Sequence, residues 1–291
     1  MEHLQHPPGP EKEWNESYYF NFYDPRNRIG GVTRIGFKPN KKEAVGYLFL
    51  FYKDEILKVV LREEIEMVPE RIEVGSLQFL PEWTLTFTGN MAGEKTDIRK
   101  VGVVLEYSPL HTEFSYLECV TTQQLEIGKV VCEDHYEQIG LVTGRITVDS
   151  RSHDVVALGE RDHSWGERDW NAPDLWIYVT ALFEPEFGIN IAKMLIKKEE
   201  IDTGFIMENG ENIPVLDIKA ETITENGKQK EVLYRIRDIT GRKFTLTGNV
   251  LHTVQIPYRG TGVSVLNENL TAFTCGKKRG YGIAEYLVKL E

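Results

Sequence analysis

The stretch Gly159-Glu-Arg-Asp-His-Ser-Trp-Gly-Glu-Arg-Asp-Trp170 is the most distinctive part of this 291-residue sequence. It contains two Glu-Arg-Asp triplets seven residues apart and two of the five tryptophans of the chain. Opposite charges beside large indoles predict a buried network of paired polar groups, because a buried charge without a partner is costly. We therefore expect this stretch to form the floor or rim of a ligand cavity and the hinge between two halves of the chain.

The sequence on either side of this stretch has the pattern of antiparallel β-structure. Runs rich in β-branched and aromatic residues, such as residues 32–37 and 44–51, alternate with turns rich in Gly, Asn and Asp. Turns repeated at roughly 8–12-residue spacing are typical of β-sandwiches and β-barrels. A further strand is predicted at residues 125–131, and helical periodicity is confined to residues 108–116 and 283–290. The pattern predicts an all-β protein with few short helices.

The segment Asn171-Ala-Pro-Asp174 interrupts this pattern directly after Trp170. We expect residues 1–13 to form a flexible arm, residues 14–172 a first β domain and residues 173–291 a second one. Each of the two larger pieces is long enough for one barrel.

Composition excludes several classes of function. The formal charge of 34 − 45 = −11 argues against nucleic-acid binding and against an anionic membrane surface. The three isolated cysteines show no CxxC and no disulfide framework, which is typical of reduced thiols in the cytoplasm. No signal-type apolar segment and no run of about 18 apolar residues is present. We expect a cytoplasmic protein without a transmembrane segment or a nucleic-acid partner; its oligomeric state stays open.

The adjacent Asp162 and His163 combine a carboxylate with an imidazole, which can donate or accept a proton in a pocket. In an extended segment, neighbouring side chains point to opposite faces. Asp162 is then expected to share a face with Glu160 and Ser164, and His163 to share the other face with its odd-numbered neighbours. The alternative is that the acids and arginines of this stretch only lock the hinge.

Two His-x-Glu pairs occur upstream, His111 with Glu113 and His135 with Glu137. The spacing of two residues lets both side chains of a pair project together from a strand. Two such pairs can in principle ligate a metal. We favour the alternative of a histidine whose tautomer is fixed by a hydrogen-bonding glutamate, and we expect no metal.

Residues 14–23 contain six aromatic residues in ten positions, more than one face of a strand can bury. Some of them are expected to face a cavity or a partner, where aromatic rings can stabilise positive charge. Near the end of the chain, Gly280-Tyr-Gly282 precedes Glu285 and is expected to form a closing turn. The GxGxxG, GxxxxGK[ST], GxSxG and HExxH motifs are absent, so nucleotide-dependent and serine-hydrolase chemistry lack support and no cofactor is expected.

Asp162-His-Ser-Trp-Gly166 resembles the Asp-His-Glu/Ser-Trp-Gly motif of the lipocalin-like AttH and carotenoid 1,2-hydratase (hydroxyneurosporene synthase) superfamily. Three further segments are similar to the order seen in uncharacterised bacterial relatives. They are Glu16-Ser-Tyr-Tyr-Phe20, His135-Tyr-Glu-Gln138 with Gly144, and Gly280-Tyr-Gly-x-x-Glu285. The resemblance spans most of the chain and is most specific in the central motif.

This resemblance implies two consecutive lipocalin-like antiparallel β-barrels or sandwiches with a cavity for hydrophobic molecules. It also implies a cofactor-independent hydratase, cyclase or isomerase that protonates a double bond of a terpenoid or polyene-like substrate. Carried over by the motif, Asp162 is the candidate acid, and His163 and Trp165 shape the pocket. Ser164 stands where many relatives have Glu. Such an acid must stay neutral at pH 7, which an apolar pocket favours and a paired arginine opposes.

The sequence thus yields one principal hypothesis and two alternatives. The catalytic candidates are Asp162, His163 and Glu137. The candidates for substrate binding are Trp165, Trp170, His135, Tyr136, Tyr18, Tyr19, Arg161 and Glu285. The first alternative is a non-catalytic carrier of a hydrophobic small molecule, and the second is a partner-binding module.

Overall fold

The computed structural model describes residues 5–94, 97–121, 126, 128–129, 132–259 and 262–290. These residues form two sheets of antiparallel strands, which confirms the predicted all-β class. Short 3-10 helices occur at Pro39–Lys41, Pro81–Trp83 and Tyr116–Cys119. Most of the strand predicted at residues 125–131, and residues 1–4 of the predicted arm, lie outside the described residues.

The first sheet contains eleven strands in the order β4-β3-β2-β1-β11-β10-β8-β7-β6-β5, with β9 paired to β10. A pairing between Lys58 and Ala92 also joins β4 to β7. The strands are β1 (Trp14–Asp24), β2 (Ile29–Lys38), β3 (Glu43–Tyr52), β4 (Glu55–Glu64), β5 (Ile72–Val74), β6 (Leu77–Leu80), β7 (Thr84–Ala92), β8 (Ile98–Pro109), β9 (Phe114–Ser115), β10 (Asp134–Val148) and β11 (Arg151–Glu167).

The second sheet is a closed barrel of eight strands that pair in chain order. Its strands are β12 (Leu175–Glu184), β13 (Phe187–Ile196), β14 (Glu199–Glu208), β15 (Glu211–Glu225), β16 (Lys228–Asp238), β17 (Lys243–Arg259), β18 (Val263–Cys275) and β19 (Lys278–Leu290). Antiparallel pairing of β12 with β19 closes it. A closed barrel leaves no sheet edge on which another chain can add a strand.

Contacts divide the chain into two compact units. Unit 1 comprises residues 1–109 and 138–168, and unit 2 comprises residues 110–137 and 169–291. Domain limits at residues 14–172 and 173–291 stay a prediction. Among the described residues, no helix is long and apolar enough to cross a membrane.

Each unit has its own apolar core on one face of its strands. In unit 1 this core includes Tyr18, Phe20 and Phe22, which alternate along β1. In unit 2 it includes Ile177 and Val179 of β12, which point into the barrel. These residues lie at every second position because successive side chains of a strand point to opposite faces.

The helical interpretation of residues 283–290 is wrong. These residues belong to β19, which pairs with both β12 and β18. The helix predicted at residues 108–116 is also wrong, since this segment contains the end of β8, then β9 and the first residue of a 3-10 helix. A short apolar run is compatible with the period of a helix and with that of a strand. Pairing with strands that are distant in sequence decides which of the two forms.

Gly144 allows a close approach between β10 and β8. Its φ is 146°, and a Cβ atom there would lie 2.2 Å from the Val104 carbonyl oxygen. We expect Gly144→Ala to lower the free energy of unfolding by about 2–4 kcal/mol, because the methyl group meets rigid backbone. The measurement is urea unfolding followed by circular dichroism.

Gly102→Ala on β8 is the matched control. A Cβ atom at Gly102 would lie 3.9 Å from the nearest side chain, so we expect a change within about 0.5 kcal/mol. Equal losses in the two variants would disprove the steric explanation.

Candidate functional site

The pairing of β1 with β11 arranges the central motif. Tyr18 lies opposite His163, and Glu16 lies opposite Trp165. Because directly opposed residues share a face, the odd-numbered residues of β11 share the face of Glu16 and Tyr18. On the other face, the hydroxyl groups of Ser17 and Ser164 lie 3.0 Å apart. The predicted separation of Asp162 from His163 onto opposite faces is therefore confirmed.

A first buried polar group, the Glu16 cluster, consists of Glu16, His6, His163, Tyr18 and Trp165. The Glu16 side chain is 0% exposed. Its Oε1 atom lies 2.6 Å from Nε2 of His163 and 3.1 Å from Nδ1 of His6. The backbone N–H of His6 donates to Oε2 at 3.2 Å. One carboxylate thus meets two imidazoles and a backbone donor, as a buried charge requires.

Aromatic stacking fixes both imidazoles of this cluster. The ring of Tyr18 stacks on His163 with centroids 4.4 Å apart and planes at 14°. The ring of His6 stacks on Trp165 at 3.6 Å and 11°. Burial, together with the charge of Glu16, raises the pKa of the Tyr18 hydroxyl, so Tyr18 stays neutral throughout the physiological range.

Arg161 lies on the same face of β11 as His163 but makes other contacts. Its Nε donates to Oε1 of Gln138 at 2.9 Å, and its guanidinium lies 4.5 Å from the ring centroid of Trp83. Asp162 is half-buried and lies opposite Tyr19 on the other face. Arg161, His163, Trp165 and Tyr18 therefore share one face of the paired strands β1 and β11, whereas Asp162 and Tyr19 share the other face.

A second buried polar group, the Glu137 cluster, lies in unit 2 and consists of Glu137, His135, Tyr178, Asn190 and Tyr116. Glu137 and Asn190 are both 0% exposed. Oε2 of Glu137 accepts hydrogen bonds from the Tyr178 hydroxyl at 3.0 Å and from Nδ2 of Asn190 at 3.2 Å. Nε2 of His135 lies 2.9 Å from Oε1 of Glu137. The prediction that His135 and Glu137 project together is confirmed.

Tyr116 supports the Glu137 cluster from the 3-10 helix that follows β9. Its hydroxyl donates to Oδ1 of Asn190 at 2.6 Å, which leaves the Asn190 amide N–H₂ to face Glu137. The Tyr116 ring lies 4.6 Å from the ring of His135. The hydroxyl of Thr203 donates to the Tyr116 carbonyl at 3.3 Å. The cluster thus combines a carboxylate–imidazole pair with fixed donors and aromatic walls.

Two more predicted residues lie in unit 2, Glu285 on β19 of the barrel and Trp170 in the turn before β12. Glu285 lies opposite Tyr178 and accepts a hydrogen bond from Nε1 of Trp176. The ring of Trp170 lies 5.4 Å from that of Trp176 in an edge-on arrangement. Tyr136 lies between His135 and Glu137 on β10, so its side chain points to the opposite face of that strand. Burial, and then Asp134, raises the pKa of Tyr136.

Sequence reasoning missed several residues of the two clusters. Glu16 had a usable signal, since it continues the alternation of the buried aromatic residues of β1. His6, Tyr178, Asn190, Tyr116 and Trp83 carried none, because only non-local strand pairing and packing bring them to these positions. Their partners are separated by as many as 147 positions in the sequence, as for Glu16 and His163.

Comparisons with known proteins agree with this fold. The family model described as "Domain of unknown function (DUF7064)" matches residues 1–289. No curated protein matches the chain significantly. A solved structure of an AttH-like protein from Nitrosomonas europaea is 12% identical, with a TM-score of 0.63, and the match covers 98% of this chain and 96% of that one.

Two further solved structures are similar over nearly the whole chain. CghA is 10% identical with a TM-score of 0.64, covering 96% of this chain and 89% of that one. Kievitone hydratase from Nectria haematococca is 12% identical with a TM-score of 0.55, covering 94% and 88%. The resemblance to the lipocalin-like AttH and hydratase superfamily is thereby confirmed for the fold.

Arg161 offers a test of the contacts in unit 1. We expect Arg161→Lys to lower the free energy of unfolding by about 1–2 kcal/mol, because lysine loses the planar stack on Trp83 and the directed bond to Gln138. Arg145→Lys is the control, since Arg145 is exposed and pairs with Asp154 at the surface. Its effect is expected within about 0.5 kcal/mol in the same urea titration. An unchanged free energy of unfolding in Arg161→Lys would argue against a structural contribution of the stack on Trp83.

Proposed function

The chain belongs to the family described as "Domain of unknown function (DUF7064)", and we propose that it is a hydratase- or isomerase-type enzyme. Its substrate is a hydrophobic small molecule, of terpenoid or polyene type, with an isolated double bond. The observation that carries the proposal is the buried His135–Glu137 pair, with Nε2 and Oε1 2.9 Å apart. Similarity in fold to kievitone hydratase supports the reaction class, and one fold can host several activities.

The reaction begins with proton transfer from the His135–Glu137 pair to one carbon of the double bond. The other carbon becomes positively charged, and the oxygen of a water molecule adds to it. The added water then loses a proton to the pair, which restores the starting protonation state. The net result is addition of one water, with no electron transferred, so no redox cofactor is needed. Loss of a neighbouring C–H proton in place of water addition gives an isomer.

The surroundings of the pair suit this chemistry. Tyr178 and Asn190 hold Oε2 of Glu137, so Oε1 is directed towards His135. Fixed donors in a buried site need little reorganisation when charge moves. The aromatic rings of Tyr116 and Tyr178 offer electron-rich surfaces for a developing cation.

The other residues predicted from the sequence are proposed to act as a second candidate acid or as substrate contacts. Asp162 is a second candidate for the acid, because the motif Asp162-His-Ser-Trp-Gly166 carries the family resemblance. Glu285, on the barrel sheet that also bears Tyr178, and Trp170, in the turn before that sheet, are proposed to contact the substrate. We assign no step to His163, since its side chain belongs to the Glu16 cluster.

A non-catalytic carrier of a hydrophobic molecule is the alternative. Unit 1 contains a cleft of about 550 Å³ in which Ile72, Phe79 and Leu80 line the wall together with amide side chains and charged ones such as Arg71 and Glu73. A volume of this size is within the range of small-molecule sites. We also propose a cytoplasmic location, in agreement with the cysteines Cys119, Cys132 and Cys275, none of which forms a disulfide within the described part of the chain.

The test compares wild-type protein with Glu137→Gln. Ligand that co-purifies is first identified by mass spectrometry; kievitone and a terpenoid panel serve as further substrates. We expect conversion with uptake of one water, and deuterium in the product when the reaction runs in D₂O. Glu137→Gln keeps the shape of the side chain but lowers turnover at least about 100-fold, as expected for loss of an acid–base group.

Glu118→Gln is the control, because Glu118 is an exposed carboxylate on the 3-10 helix that also carries Tyr116. It should retain full turnover. Full activity of Glu137→Gln with loss in Asp162→Asn would move the acid to Asp162 and refute the assignment to Glu137. Tight ligand binding without conversion by the wild-type protein would support the carrier.

A further inference from the structure

We propose that His6, Glu16 and His163 form a binding site for a divalent zinc-type metal ion in unit 1. The inference is independent of the proposed function, which uses the Glu137 cluster and no metal. Two imidazole nitrogens and one carboxylate oxygen converge here from three separate parts of the sequence. This set of ligands is the one that zinc takes in sites with an open coordination position.

The distances fit an ion of this kind. In a tetrahedral site with bonds of about 2.0–2.1 Å, ligand atoms lie roughly 3.3 Å apart. Oε1 of Glu16 lies 3.1 Å from Nδ1 of His6 and 2.6 Å from Nε2 of His163. All three ligand atoms are within 4.8 Å of one another. Inserting an ion therefore requires separations to change by only roughly 0.7 Å or less for these two pairs, which side-chain rotation can supply.

Groups around the three ligands already hold them in place. The ring of His163 is stacked by Tyr18, and the ring of His6 is stacked by Trp165. The second carboxylate oxygen of Glu16 accepts the backbone N–H of His6. Such outer contacts fix the orientation of metal ligands and raise metal affinity. A site with oriented ligands loses less side-chain entropy when the ion binds.

Exposure differs among the ligands in a way that allows entry. The side chains of Glu16 and His163 are 0% and 8% exposed, whereas that of His6 is 30% exposed. His6 precedes β1 and belongs to no strand, so its backbone takes no part in the β1–β11 ladder. An ion can therefore reach Glu16 and His163 when the His6 side chain rotates, and His6 then completes the site.

Cobalt(II) is the probe for this site, because its visible spectrum reports coordination by nitrogen and oxygen. The full-length protein is stripped with a chelator and titrated with Co²⁺ in the absence of any substrate. We expect a visible absorption spectrum of a four- or five-coordinate ion that saturates at one equivalent. Added Zn²⁺ should abolish the spectrum by displacement, since zinc binds such sites more tightly than cobalt.

Variants locate the ion. His6→Ala and Glu16→Gln are each expected to weaken Co²⁺ binding at least about tenfold, because losing even an outer contact costs about 10–100-fold. His153→Ala is the matched control. His153 lies on β11, like the metal ligand His163, but its ring contacts the hydroxyl of Tyr52. It should bind Co²⁺ like the wild-type protein. Circular dichroism checks that each variant is folded. If Glu16→Gln does not fold, the result with His6→Ala decides the question, because His6 lies outside the strands.

Absence of a saturable one-equivalent spectrum would overturn the proposal, as would unchanged binding in His6→Ala. In that event the three residues form only a buried hydrogen-bonded cluster. Turnover is assayed separately with a chelator present, so failure of metal binding and failure of the proposed reaction are distinguishable.

Discussion

The pairing of β1 with β11 is the interaction on which the rest of unit 1 depends. It joins residues 14–23 to residues 158–167 in one register, and that register places Tyr18 opposite His163. A slip by one residue would turn every side chain to the other face. If β11 slipped in this way, Asp162 would replace His163 beside Glu16 and the buried aromatic residues of β1. Both faces of β1 are buried, and only the even-numbered face carries the row Tyr18, Phe20 and Phe22 of the apolar core; this difference specifies the register and, through it, the Glu16 cluster.

Both units place a carboxylate and an imidazole in a buried position, but by different means. In unit 2, Glu137 and His135 are two residues apart on one strand, so the period of the strand alone aligns them. In unit 1, Glu16 and His163 come from different strands. A buried carboxylate is stable only when donors surround it. Tyr178 and Asn190 supply donors in one cluster, and His6 supplies them in the other.

The lipocalin-like fold by itself leaves the chemistry open. Structures that share it with only 10–12% identity include a hydratase and an AttH-like protein. Function in such a fold depends on which polar side chains the sheets bury and how their hydrogen-bonding groups are satisfied. For this reason the proposed reaction rests on Glu137 and its neighbours, and the proposed metal site on the separate convergence at Glu16.

The sequence by itself determined the all-β class, the alternation that separates Asp162 from His163, and the joint projection of His135 and Glu137. These follow from local periodicity, which a few consecutive residues express. Only the tertiary structure decided that residues 283–290 form a strand and that Glu16 meets His6 and His163. It also decided that Tyr178 and Asn190 surround Glu137. The physical reason is that these contacts join residues far apart in sequence, and strand pairing and core packing, which no local pattern records, bring them together.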